Sequence, residues 1–149
     1  MKCSALAGLV TSVFLLLFAS TASAAEFVGF VKSLVGEATV LRDGEAKEAA
    51  VGMEIKEGDI VKTGANGSAG LIFSDDTIIT MGPRTELVVE DYLFEPLEGR
   101  LGFVAKILRG TISYLSGQIE KLSPGTVQLK TPAATIGVRG THVLLKVEP

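Results

Sequence analysis

The chain has 149 residues, a net charge of −3 at pH 7, 47% hydrophobic residues, one cysteine, one histidine and no tryptophan. That length makes one domain with its own core. The weakly acidic balance, with no run of basic residues, argues against nucleic acid and anionic lipid as partners.

The chain opens on a targeting pattern. Lys2 precedes an apolar run from Leu6 to Ala19, and Ala22-Ser23-Ala24 supplies the small residues that a signal peptidase needs. The run falls short of the ~20 apolar residues that span a bilayer. The expectation is a secretory signal over residues 1–24, with a domain over 25–149 resident in the periplasm or outside the cell and not stably inserted in a membrane. Cys3 lies ahead of the apolar run, where a lipoprotein cysteine does not sit, and cleavage removes it. The remaining chain holds no cysteine, so its stability must come from its core without a disulfide.

From residue 25 onward, short apolar stretches alternate with glycine-containing turns, the pattern of an all-β fold. Strands are expected over Phe27 to Leu34 and Glu37 to Arg42, then an Asp43-Gly44 hairpin turn and a return strand over Glu45 to Val51. Glu57-Gly58 turns into Asp59 to Thr63, and Asn66-Gly67 turns into Ser68 to Phe73. Asp75-Asp76 turns into Thr77 to Met81, which Gly82-Pro83 stops because proline has no N–H for a ladder. Glu86 to Phe94 follows. Leu101 to Leu108 reads as helix or strand and ends at Arg109-Gly110. Thr111 to Leu115 is extended. Ser123-Pro124-Gly125 turns into Thr126 to Lys130, and a final strand system runs from Thr131 to Val147. Leu71-Ile72-Phe73 and Leu87-Val88-Val89 are apolar at every position, which predicts strands covered on both faces. The fold class expected is all-β, a single rolled sheet or a β-sandwich.

The last segment carries a parity signal. Ala134, Ile136 and Val138 are even-numbered, whereas Val143, Leu145 and Val147 are odd-numbered. A strand has period two, so the buried face cannot change parity without a backbone slip. A bulge or tight corner is predicted between Gly137 and Thr141, centred on Gly140.

Several stretches resemble the FecR-like domain, a β-rich module of bacterial envelopes: Val35-Gly36-Glu37-Ala38, Gly58-Asp59-Ile60-Val61-Lys62-Thr63-Gly64, Ala69 to Thr77, Met81-Gly82-Pro83-Arg84-Thr85 and Thr131 to Thr141. In the third, members of that family usually carry Asp-Gly where this chain has Asp75-Asp76. The resemblance implies a sensing or protein-interaction role. The best-understood relatives are regulators held by a lasting membrane helix behind a cytoplasmic segment. This chain shows a cleavable signal instead, so direct control of transcription is not expected.

Residues able to carry chemistry are few. His142 is the sole imidazole, and no nucleophilic triad can be drawn around it; it falls on the even, solvent-side face. Asp75-Asp76 lacks the spacing of a calcium loop and reads as a turn, and Glu54, Glu57 and Asp59 read as a solvated turn rim. Tyr92 to Phe94 and Tyr114 read as core. Arg139, flanked by Gly137 and Gly140, reads as a planar fork that either ties the corner to an acid such as Asp59 or to free carbonyls, or is offered to a partner. The candidate partner-binding or structural corner is therefore Arg139, Gly137, Gly140, Thr141 and Asp59. No catalytic residue, metal or cofactor is expected. The primary reading is a non-catalytic interaction or sensing accessory module whose partner is an envelope protein, a receptor or neighbouring subunit. The alternatives are a protein that binds or processes cell-wall glycan, and a structural subunit of a surface assembly.

Overall fold

The computed structural model describes residues 26–140 and 142–148. The signal segment expected over residues 1–24, and Thr141 of the expected corner, lie outside the described residues. The domain is all-β: among the described residues twelve strands form one curled sheet, with two short helical segments. The strands are β1 (Phe27–Val35), β2 (Ala38–Arg42), β3 (Glu45–Glu48), β4 (Glu54–Lys56), β5 (Ile60–Thr63), β6 (Ser68–Phe73), β7 (Ile78–Met81) and β8 (Glu86–Glu95). After a 3-10 turn at Pro96–Glu98 come β9 (Arg100–Leu115), α1 (Gln118–Leu122), β10 (Val127–Lys130), β11 (Thr135–Gly137) and β12 (His142–Val147). The sheet runs β3-β2-β5-β8-β9-β7-β6-β1-β4, with β10 and β12 also on β9 and β11 on β10. All pairs are antiparallel except β9 with β10.

The sixteen-residue β9 is the spine of the sheet. The segment expected to be helix or strand over Leu101 to Leu108 is strand, and it does not stop at Arg109-Gly110. β7 and β8 run in succession along β9, Met81 opposite Ile112 and Glu86 opposite Arg109. Between them the ladder breaks, and β9 bends at Gly110, whose φ is +97°. Three threonines repair the break. Thr85 Oγ1 donates to Thr111 O (3.2 Å) and accepts from Thr111 N (3.1 Å), and Gly82 N also donates to Thr111 O (2.9 Å). Thr63 Oγ1 donates to Gly82 O (2.6 Å) and accepts from Thr85 N (2.9 Å). A Cβ on Gly110 would collide with Thr85 Cα and Oγ1. The Thr-Gly and Gly-Pro motifs of the sequence are thus the stitching of the main bend.

One core fills the concave side. Leu71, Phe73, Leu87 and Val89 are buried, but Ile72 and Val88 are only half-buried. Those strands are therefore not covered on both faces, because the outer face of the curled sheet has no second layer. Phe73, Tyr92 and Phe103 cluster with ring centroids 4.9–5.6 Å apart, and Tyr114 is fully buried.

Two local expectations needed adjustment, and one element was not expected at all. The return strand over Glu45 to Val51 is shorter, ending at Glu48, and the chain then forms β4 against β1. The helix α1 gives no signal in its own sequence because Asp75, a distant residue, caps it: Ile119 N donates to Asp75 Oδ2 (3.2 Å) and Gln118 N to Asp75 O (2.7 Å). The predicted corner is present, but as a break between strands instead of a bulge within one. β11 ends at Gly137 on β10, β12 begins at His142 on β9, and Gly140 has a φ of +137°. The parity change follows: Val138 is buried, then Val143, Leu145 and Val147 are half-buried while His142, Leu144 and Lys146 are exposed.

Candidate interaction surface

The corner residues are dispersed. Asp59 is buried and held away from Arg139. The β2 hairpin delivers Arg42 beside it, so that Arg42 Nε donates to Asp59 Oδ1 (2.9 Å) and Nη2 to Oδ2 (2.6 Å). Lys56 N donates to the same carboxylate (2.9 Å), and Arg42 Nη2 also reaches Glu54 O (2.9 Å). The hydrogen bond to Asp59 holds the Arg42 guanidinium above its ordinary pKa. The expected tie between Arg139 and Asp59 is not formed, because the carboxylate has been filled from β2. Nor is Asp59 part of a solvated rim, although Glu57 is exposed and accepts from Tyr92 N (3.1 Å). Arg139 is exposed, and its guanidinium lies over Gly125.

Asp75 is a structural hub. Its carboxylate accepts from Tyr92 Oη (3.0 Å), Thr77 N (3.3 Å), Thr77 Oγ1 (2.6 Å) and Ile119 N (3.2 Å), and its own N–H donates to Tyr92 Oη (2.9 Å). Burial and the Asp75 charge push the Tyr92 phenol far above its ordinary pKa. Asp76 has a φ of +67°, the left-handed conformation in which glycine is the usual occupant. His142 sits on the outer face with Nε2 2.7 Å from Ser113 Oγ. Among the described residues no carboxylate hydrogen-bonds that ring.

The surface of the described residues includes two hollows. The first, about 340 Å³, lies between β1 and the end of β8, and its lining includes Phe27, Tyr92 and Phe94 together with Glu26, Glu57 and Glu95. The second, about 560 Å³, lies over the bend of β9 and gathers Arg84, Arg109 and Lys146. The sequence holds no basic run, but folding assembles this basic group from three distant segments. Neither hollow is lined by Arg139, Asp59 or His142.

The sheet edges differ in character. β3 reads Glu-Ala-Lys-Glu and is exposed throughout, while β4 and β11 have only three residues each. Charge and brevity protect a free edge from adventitious pairing. β12 is six residues long, reads His-Val-Leu-Leu-Lys-Val, and is paired on one side only, to β9, among the described residues. Leu144 in its middle is 73% exposed.

The profile of the FecR protein family matches residues 59–149. The chain belongs to the FecR protein family. The match takes in β5 to β12, including the threonine-stitched bend and the open strand, and leaves β1 to β4 outside it. FecR proteins are sensing and signalling components that interact with other envelope proteins, and their domain is typically periplasmic. No curated protein and no solved structure matches the chain. No helix among the described residues is long and apolar enough to cross a membrane.

Proposed function

We propose that this FecR protein is an exported, non-catalytic envelope module that docks a partner protein by accepting a strand at β12. The observation that carries this reading is the open, apolar edge of β12 beside three other edges that are short or charged. Strand addition draws affinity from main-chain hydrogen bonds and specificity from alternate side chains. Here those side chains would be exposed Leu144, flanked by His142 and Lys146. Membership of a family whose proteins interact with envelope partners supports the same reading. The glycan-processing alternative loses its motive, since Arg139 and Asp59 do not meet and line neither of the two hollows described.

A photo-crosslinking residue placed at Leu144, with one at Ala46 on β3 as the control edge, tests this in cells. Adducts mapping to one envelope protein from position 144 alone are expected, and Leu144→Lys should weaken the complex while leaving thermal stability nearly unchanged. Adducts only between copies of the chain would instead make it an assembly subunit. Absence of any adduct, or equal adducts at both edges, refutes edge docking.

A further inference from the structure

We infer that the hollow at the bend of β9 is an oxyanion-binding site, taking a phosphate-type dianion through Arg84, Arg109 and Lys146. The three cations come from the β7–β8 turn, from β9 just before its bend and from β12, and they meet only in the folded chain. Pro83, Gly110, Thr111 and Val147 complete the wall, and Glu148 is its single acid. The lining thus carries an excess of positive charge on a chain whose net charge is −3.

The cations are incompletely neutralised. Glu148 lies 3.1 Å from Lys146 in an exposed pair. Glu86 is shared, 3.6 Å from Arg109 and 3.4 Å from Lys62. No carboxylate of the described residues is within ion-pair distance of Arg84. An incoming dianion would therefore find guanidinium donors still available for paired, charge-assisted hydrogen bonds.

Arg84 also stands out by its backbone. Its φ is +50°, a left-handed conformation that favours glycine. The turn is stabilised by Arg84 N donating to Gly64 O (3.0 Å), a main-chain bond that does not require an arginine side chain. A long cationic side chain is thus held, at a conformational cost, beside the hollow, and strain of this kind clusters where a side chain is used.

The strained site supplies its own test. Arg84→Gly removes the guanidinium and relieves the backbone, so loss of binding cannot be blamed on misfolding. Titration calorimetry of the purified protein with pyrophosphate at low salt should show one saturable site. Arg84→Gly should weaken it by about tenfold or more, as removal of a charge-assisted contact does, with a melting temperature equal to or above that of the parent. Arg109→Gln should weaken it similarly. Arg100→Gln, at the far end of β9 against Glu95 and Glu98, removes the same charge and should leave binding unchanged. Sedimentation with vesicles containing phosphatidic acid, whose headgroup is a phosphomonoester, against phosphatidylcholine vesicles, separates the sources: vesicle binding lost in the same variants assigns a lipid headgroup, and pyrophosphate binding alone assigns a soluble phosphate. No saturable binding in either arm, or equal weakening by Arg100→Gln, overturns the site.

Discussion

Gly110 and Gly140 both sit at positive φ, and their surroundings separate them. At Gly110 a Cβ would collide with Thr85, whereas at Gly140 it would meet nothing within 4 Å. Gly110→Ala adds steric collision to backbone strain and is expected to cost ~3 kcal/mol or more, against ~1 kcal/mol for Gly140→Ala. Urea unfolding of the two variants checks the order, and equal losses would show that the bend does not depend on Thr85. Arg42 and Arg139 make a second contrast. Arg42→Met strands a carboxylate that is 1% exposed, an uncompensated buried charge expected to cost ~3 kcal/mol. Arg139→Met removes an exposed side chain with no ion pair among the described residues and should change stability by less than ~0.5 kcal/mol. A larger loss for Arg139 would restore it as the structural fork of the corner.

Helix α1 shows how an element depends on a residue far away in sequence. Its five residues are too few to be stable alone, and Asp75 supplies the cap from the β6–β7 turn. Asp75→Ala should release α1 while the sheet stays paired. Hydrogen exchange at the Ile119 amide is expected to accelerate far more than exchange in β9, and uniform acceleration would mean that the turn and the sheet open together. The open β12 belongs to the same scale: its inward residues are half-buried, so one face anchors the strand while its edge remains available.

For the whole molecule, the two tyrosines report on cohesion. They are the only tyrosines in the chain. Burial pushes the Tyr114 phenol up to about 12, and Tyr92 is raised further by burial and by Asp75. An unfolded tyrosine ionises near pH ~10. Below that pH both states keep their phenolic protons and the stabilisation is fully present. As pH rises beyond ~10, the unfolded chain gives up protons that the folded chain retains, so stability falls. Tyrosinate absorbance should therefore rise late and cooperatively with loss of β-sheet circular dichroism. An ordinary non-cooperative titration near pH ~10 would contradict the burial of both rings.

What the residues alone determined was local. Asp43-Gly44 has φ values of +52° and +77°, a turn chemistry visible in the dipeptide itself. The parity change across Gly140 announced a corner because alternation is set by the strand period. Family kinship was legible through motifs that encode turns and stitching threonines. Tertiary structure decided whatever required distant residues to meet. Arg42, and not Arg139, neutralises Asp59; Asp75 caps α1; β9 runs on through Gly110 because Thr85 bridges the break; and Arg84, Arg109 and Lys146 share one hollow. Each of these depends on the strand order and curl of the sheet, which bring together side chains far apart along the chain. Periodicity within a single strand carries no record of that pairing.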